Sequence, residues 1–208
     1  MGNKIASVLM FVCFAILAGS LSAQDSPEAA TLLGKGGTFS AKDLGFFVAP
    51  SFGLTRLDES TAALFNLRGG VGLKDMFSLG AYFNTSLNEI RQKSETLSGV
   101  YMDYWTAGGF VEITLLSKRL VHLTFPIYVG YGEVEMDGEE VVYTDDLGES
   151  NFFQVEPSAL LECNLNQFIR IHLGAGYRLV RQMDYRNLDR YDISGWTAYG
   201  GLRLGLFR

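Results

Sequence analysis

The sequence predicts an all-β protein, a closed eight-stranded antiparallel up-and-down transmembrane barrel. Three observations carry the prediction. Apolar and polar residues alternate with period two through eight segments. The connections between segments alternate between tight turns and long loops. The polar face of the segments is built from small residues and a balanced set of charges, and no lysine falls in it.

Before the first of these segments, residues 1–23 read as a secretory signal peptide. Lys4 is the one basic residue ahead of the uncharged apolar run from Ile5 to Ala18, and Gly19 to Ala23 are mostly small, with cleavage expected after Ala23. A membrane-spanning helix needs about 20 apolar residues, and this run is shorter. Removing it takes the formal charge from −6 to −7 and leaves Cys163 as the single cysteine, so no internal disulfide is expected. Residues 24–42 are polar and glycine-punctuated and read as a periplasmic lead-in, with the outer-membrane barrel domain over 43–208. An acidic chain of 208 residues without a basic stripe excludes nucleic acid as a partner.

The expected strands cover 43–56, 61–73, 76–87, 101–116, 120–133, 151–164, 168–180 and 194–207. The seventh is the clearest. Ile169, Ile171, Leu173, Ala175, Tyr177 and Leu179 share one face, and Arg170, His172, Gly174, Gly176, Arg178 and Val180 the other. Pro50, Pro126 and Pro157 fall inside strands, where a residue without an N–H cannot donate to a ladder, so local bulges are expected there. Tight turns at 74–75, 117–119 and 165–167 alternate with connections at 57–60, 88–100, 134–150 and 181–193, three of them long. Short turns on the side of the termini and long loops opposite describe an outer-membrane barrel, and each segment meets the ~9–11 residues needed to cross a bilayer.

A soluble eight-stranded barrel also alternates, with its apolar face inward. The polar face separates the two. In water it would be rich in Lys and Glu. Here Lys35, Lys42, Lys74, Lys93 and Lys118 all lie outside the strands, and 13 of the 16 glycines within strands fall on the polar face. Small residues suit a narrow interior. On the apolar face Phe83, Trp105, Tyr131, Phe153, Tyr177 and Trp196 lie near the long-loop end of their strands, as in an aromatic girdle at a membrane–water boundary.

Three stretches, Phe65–Phe83 (FNLRGGVGLKDMFSLGAYF), Tyr104–Gly132 (YWTAGGFVEITLLSKRLVHLTFPIYVGYG) and Phe152–Val180 (FFQVEPSALLECNLNQFIRIHLGAGYRLV), together with the last strand, resemble the small outer-membrane β-barrel proteins of Gram-negative bacteria. That superfamily contains the outer membrane protein A and X domains, and the pattern is similar to an uncharacterised porin-family type. The resemblance covers nearly all of 43–208. It implies the fold and a C-terminal strand read by the barrel-assembly machinery, and it names no biochemical role. In that strand Trp196, Ala198, Gly200, Leu202, Leu204 and Leu206 alternate as expected, but the register closes on Arg208 where the family places an aromatic, and Phe207 falls on the other face.

The lumen face is expected to carry Arg68, Arg170, Arg178 and Arg203 against Glu112, Glu156 and Glu162. Charges so confined require partners. A hairpin centred on Asn166 sets Glu162 opposite Arg170 and Gln154 opposite Arg178. Eight strands leave an interior about wide enough for side chains, so these charges read as a packed plug rather than an ion path. Glu112 lies near His122 across the fourth hairpin and would form half of an acyl-transfer triad, but Thr124, on the same strand face, is a poor nucleophile. Non-enzymatic chemistry is therefore expected, with no cofactor. From Glu133 to Ser150 eight acids occur with no Lys or Arg, among them Asp137, Glu139, Glu140, Asp145, Asp146 and Glu149. Their spacing is not that of a calcium loop. They read as a solvated acidic tip, the alternative being a divalent cation or an extracellular ligand at the loops. The loop 181–193 mixes Arg181, Arg186 and Arg190 with Tyr185 and Tyr191 and suits pairing with the acidic loop or binding of an anionic sugar or protein. The expected protein is a monomeric scaffold for surface loops in the outer membrane. A small passive channel and a lipid-modifying enzyme are the alternatives.

Overall fold

A computed structural model describes residues 44–91, 100–138, 149–181, 183–185 and 188–207. The expected signal peptide and periplasmic lead-in lie outside the described residues. Eight long strands form a closed barrel: β1 Leu44–Leu57, β2 Ser60–Leu73, β3 Phe77–Ser86, β4 Val100–Leu115, β5 Val121–Gly138, β6 Glu149–Asn164, β7 Ile169–Arg181 and, last in the chain, β10 Gly195–Leu206. Each strand pairs antiparallel with its neighbour in sequence, and β1 pairs with β10 to close the wall. Between β7 and β10 the chain forms a two-residue hairpin, β8 Asp184–Tyr185 and β9 Leu188–Asp189, and one helical turn, α1 Arg190–Ile193.

The tight turns follow from local chemistry. Lys74 and Asp75 both have positive φ (52° and 51°), the mirror-image turn whose twist matches that of paired strands, and Met76 N–H donates to Leu73 O at 3.1 Å. Asp58 and Glu59 repeat the device at the opposite end (φ 44° and 59°). In the β6–β7 turn the Asn166 carboxamide oxygen accepts from Phe168 N (2.7 Å) and Ile169 N (2.9 Å). That cap fills the turn with Leu165–Phe168 and moves its centre one residue along. The register therefore sets Glu162 opposite His172, and Asn164 opposite Arg170. The expected pairings of Glu162 with Arg170 and of Gln154 with Arg178 are thus displaced by two residues, and Gln154 faces Val180.

Two further expectations are corrected. The prolines cause no bulges. Ladder pairs are missing beside Pro50, Pro126 and Pro157 on one side, but the same register resumes beyond each, with no inserted residue. Both described ends of the acidic connection 134–150 are ladder. β5 runs on to Gly138 and β6 starts at Glu149, because Val134 and Met136 continue the inward apolar face while Glu133 and Glu135 occupy outward positions. The connection 181–193, expected as a loop, buries Met183, Leu188 and Ile193. Asp189 caps α1 by accepting from Tyr191 N (2.6 Å), and Asp192 reaches back to Asp189 N (2.8 Å).

The wall is apolar outside and polar inside. Phe52, Leu79 and Leu173 are 64–68% exposed, while Arg68, Glu112, Glu162 and Arg178 are at most 1% exposed. This is the reverse of a soluble barrel. The inward glycines let facing strands approach. Gly80 lies opposite Gly70 and Gly108 opposite Gly130, and a Cβ on Gly108 would stand 2.2 Å from Val129 O.

Candidate functional site: the barrel interior

The interior is layered. At the end nearest the chain termini, Phe47, Ala49, Phe110, Tyr82 and Tyr128 form an aromatic cluster against which Phe207 packs. Phe207 thus faces inward, and the Arg170 guanidinium stacks over its ring at 3.6 Å while donating to Asp75 Oδ2 (3.3 Å). Asp75, in the β2–β3 turn, is the partner that sequence reasoning missed for Arg170. Its turn position hid it, since a turn residue has no assigned face.

Next lies a closed circuit of four charges. Arg68 on β2 donates to Glu112 Oε2 (2.7 Å) and Glu162 Oε1 (3.2 Å); Arg203 on β10 donates to Glu112 Oε1 (2.7 Å) and Glu162 Oε1 (3.3 Å). The arginines come from strands flanking β1, the carboxylates from β4 and β6. None of these pairs lies within a hairpin: Arg68–Glu112 and Arg203–Glu162 each skip one strand, and Arg68–Glu162 and Arg203–Glu112 join opposite sides of the lumen. Alternation places such residues inside but leaves open which strands meet across the interior. Arg203 also stacks on Phe47 at 3.6 Å, and Tyr128 OH accepts from Arg68 (3.3 Å). His122 Nε2 lies 3.2 Å from Glu162 Oε2, its ladder neighbour, and not against Glu112, whose register partner is Pro126. Thr124 Oγ1 is engaged with Thr114 Oγ1 at 3.4 Å. The half triad expected from Glu112 and His122 is therefore not formed. A second contact, His172 Nε2 to Ser51 Oγ (3.3 Å), places a hydroxyl on an imidazole, but Nδ1 of that ring has no carboxylate to orient it.

Toward the loop end the ion-pair circuit gives way to hydrogen bonds among tyrosines, Gln154, Glu156 and Arg178. Tyr199 OH donates to Glu156 Oε1. Gln154 accepts from Tyr104 OH (3.1 Å) and donates to Tyr82 OH (3.0 Å). Arg178 donates to Tyr104 OH and Thr55 Oγ1 (both 3.1 Å) and, through Nε, to Ile193 O (2.8 Å), which ties α1 to the wall. Above this level an apolar plug fills the mouth. Leu57, Leu64, Met102, Val134, Phe152 and Val180 from the wall meet Ile90, Met183, Leu188 and Ile193 from the connections.

Of the expected girdle, the six rings form three contacting pairs on the outer face: Phe83–Trp105 (6.4 Å), Tyr131–Phe153 (5.5 Å) and Tyr177–Trp196 (5.2 Å). Among the acidic residues, Glu139, Glu140, Asp145 and Asp146 lie outside the described residues; Asp137 and Glu149 sit at the ends of β5 and β6. Among the described residues no group of three His, Cys, Asp or Glu side chains is placed to hold a metal ion.

Solved structures share this architecture. Neisserial surface protein A superposes with a TM-score of 0.57 at 6% identity, over 78% of this chain and 96% of that one. The outer membrane protein OprG of Pseudomonas aeruginosa gives 0.52 at 8%, over 79% and 96%. The attachment invasion locus protein Ail of Yersinia pestis, in complex with the heparin analogue sucrose octasulfate, gives 0.50 at 13%, over 78% and 97%. No protein-family model matches the chain, and no curated protein matches it. At these identities the likeness is one of fold. The chain has the fold of the small eight-stranded outer-membrane barrels.

Proposed function

We propose that the protein is an integral, non-conducting outer-membrane barrel, a monomeric scaffold that holds surface loops at the cell exterior. It is exported by cleavage of residues 1–23 and inserted by the barrel-assembly machinery acting on β10. The observation that carries this reading is the filled interior. The ion-pair circuit is at most 3% exposed, which leaves no room beside it for a passing solute, and it lies between an aromatic cluster at one end and an apolar plug at the other. The outward apolar face and the three aromatic pairs support the membrane setting. The neighbours of this fold come from outer membranes, and the Yersinia attachment protein offers a precedent for a barrel of this size engaging a sulfated sugar analogue. The connections we assign to such contacts are 134–150 and 181–193.

Planar bilayer recording on the refolded, signal-cleaved protein tests the reading. Absence of discrete conductance steps is expected. Regular steps would overturn the plug and favour the passive channel. Turnover of labelled phospholipid or lipid A by the same preparation would overturn the non-enzymatic assignment.

A further inference from the structure

We propose that Phe207 is a register latch. Its ring enters the lumen at the tight-turn end of the barrel, takes the guanidinium of Arg170, and so holds β10 in the one register that closes the wall. The device is independent of what the surface loops bind.

The seam that closes the barrel is poor in register information. β10 joins β7 on one side and β1 on the other. Gly201 and Gly205 of β10 occupy inward positions, as do Gly174 and Gly176 of β7 and Gly45 and Gly53 of β1. Glycine-rich strands specify register weakly, and a slip of two residues leaves every inward position inward. The end of β10 needs one of these glycines. A Cβ on Gly45 would stand 2.3 Å from Leu206 O and 4.0 Å from Phe207 Cα, so a side chain there would push the end of β10 off β1. On the other side Gly205 N–H donates to Phe168 O at 2.9 Å, beyond the last ladder pair of Leu204 with Ile169. Phe207 is the next inward position after Gly205, and it packs against the aromatic cluster of Phe47, Phe110 and Tyr128.

The native register sets two like charges against each other. Arg203 is the direct ladder partner of Arg170, and both are buried. Like charges directly opposite in an antiparallel pair are destabilising. Arg203 is neutralised by Glu112 and Glu162 and lies over Phe47 at 3.6 Å. Arg170 has the turn residue Asp75 at 3.3 Å, whose side chain is 21% exposed, and its own Nε has no hydrogen-bond partner. Phe207 supplies the rest. Its ring centroid lies 3.6 Å from the Arg170 guanidinium carbon and 5.7 Å from that of Arg203, so one aromatic quadrupole serves both charges. A two-residue slip of β10 would carry the ring roughly 7 Å along β7 and leave Arg170 with the turn carboxylate alone. The stack is therefore made only when β10 has paired with both neighbours in the native register.

The test takes the signal-cleaved protein carrying Cys163→Ser, folds it in detergent micelles and reads register by disulfide trapping. Ala175→Cys with Ala198→Cys reports the native register, in which the two are partners; Ala175→Cys with Gly200→Cys reports a slip of two residues. A Cβ at residue 200 meets nothing closer than Leu173 Cδ1 at 3.5 Å, so the second pair does not itself strain the wall. The parent and Phe207→Tyr are expected to join 175 to 198 alone. Phe207→Leu keeps an apolar side chain and loses the π face; it should raise the 175–200 cross-link about tenfold, the order expected for loss of one desolvated cation–π contact. Amide exchange over 202–206 should quicken by the same factor, with β3 to β5 unchanged, and much less where Arg170→Gln is already present. A Phe207→Leu variant indistinguishable from the parent would overturn the latch and reduce the ring to apolar filling. Equal quickening in every strand, or an undiminished effect in the Arg170→Gln background, would overturn it as well, the first as ordinary loss of stability and the second by separating the ring from the arginine.

Discussion

At the scale of single residues the interior is governed by shared partners. Glu162 contacts Arg68, Arg203 and His122, and Glu112 contacts the same two arginines. Breaking a buried pair by removing one charge costs roughly 3–5 kcal/mol. In this circuit the remaining carboxylate still meets both guanidiniums, so Glu162→Gln is expected at or below the low end of that range. The double change with Glu112→Gln should be non-additive by roughly 0.5–3 kcal/mol in urea unfolding of the detergent-folded barrel. Additive losses would show that the two carboxylates act independently. Glycines give a second contrast. Gly108→Ala drives a Cβ to 2.2 Å from Val129 O, and overpacking of that kind costs roughly 1–3 kcal/mol; Gly200→Ala finds its nearest neighbour at 3.5 Å and should be nearly neutral. Equal unfolding midpoints for the two variants would contradict the close approach of β4 and β5. Alternation was enough to place every one of these charges inside the barrel. It could not pair them, because a sequence reveals hairpin neighbours and conceals residues facing each other across a lumen.

At the scale of elements, eight strands and the side on which each turn lies were legible, since period-two patterning and turn residues are local signals. What was not legible depends on single side chains or on charge read too simply. The Asn166 cap shifts the β6–β7 register by two residues. The acidic run Glu133–Asp137 suggested a loop, although its alternation with Val134 and Met136 already described a strand with one wet face. The capping box of α1, Asp189 with Asp192, was visible as residues but short enough to pass as irregular. The orientation of these elements gives a direct prediction. A protease site or tag at Asp146 or Asn187 should be reached by an impermeant reagent on intact cells, and one at Lys118 only after the outer membrane is breached. Labelling at position 118 from outside would invert the topology. Ile193→Asp should loosen the segment 182–194, since it places a charge in the apolar plug and disturbs the turn whose carbonyl Arg178 holds. The expected result is faster cleavage of that loop in the folded barrel, with the strands intact by circular dichroism.

At the scale of the whole molecule, the fold is a barrel turned outside in relative to a soluble one. Charged side chains occupy the middle of the interior, which a soluble barrel fills with leucine, and leucines such as Leu79, Leu161 and Leu173 face outward. In water such a surface is a liability, because exposed apolar patches this extensive drive association. In a bilayer the same surface is the stabilising one. An arginine on the lipid side at mid-depth costs roughly 2–4 kcal/mol, falling toward zero at the interface. Leu173→Arg should therefore depress folding into vesicles strongly, and an arginine replacing Leu179, closer to the Tyr177–Trp196 level, should do so less.

The most direct test of the lipid-facing wall is depth-dependent quenching. With Trp105 and Trp196 replaced by Phe, a single reporter is introduced by Leu173→Trp and, separately, restored at Trp196. Each barrel is folded into vesicles whose lipids carry bromine at a known depth along the acyl chain. A membrane-spanning wall predicts strongest quenching of the residue-173 reporter by bromines deep in the chain, and of Trp196 by bromines near the headgroup. Emission at both positions indifferent to every brominated lipid, from a protein that stays soluble without lipid or detergent, would contradict it.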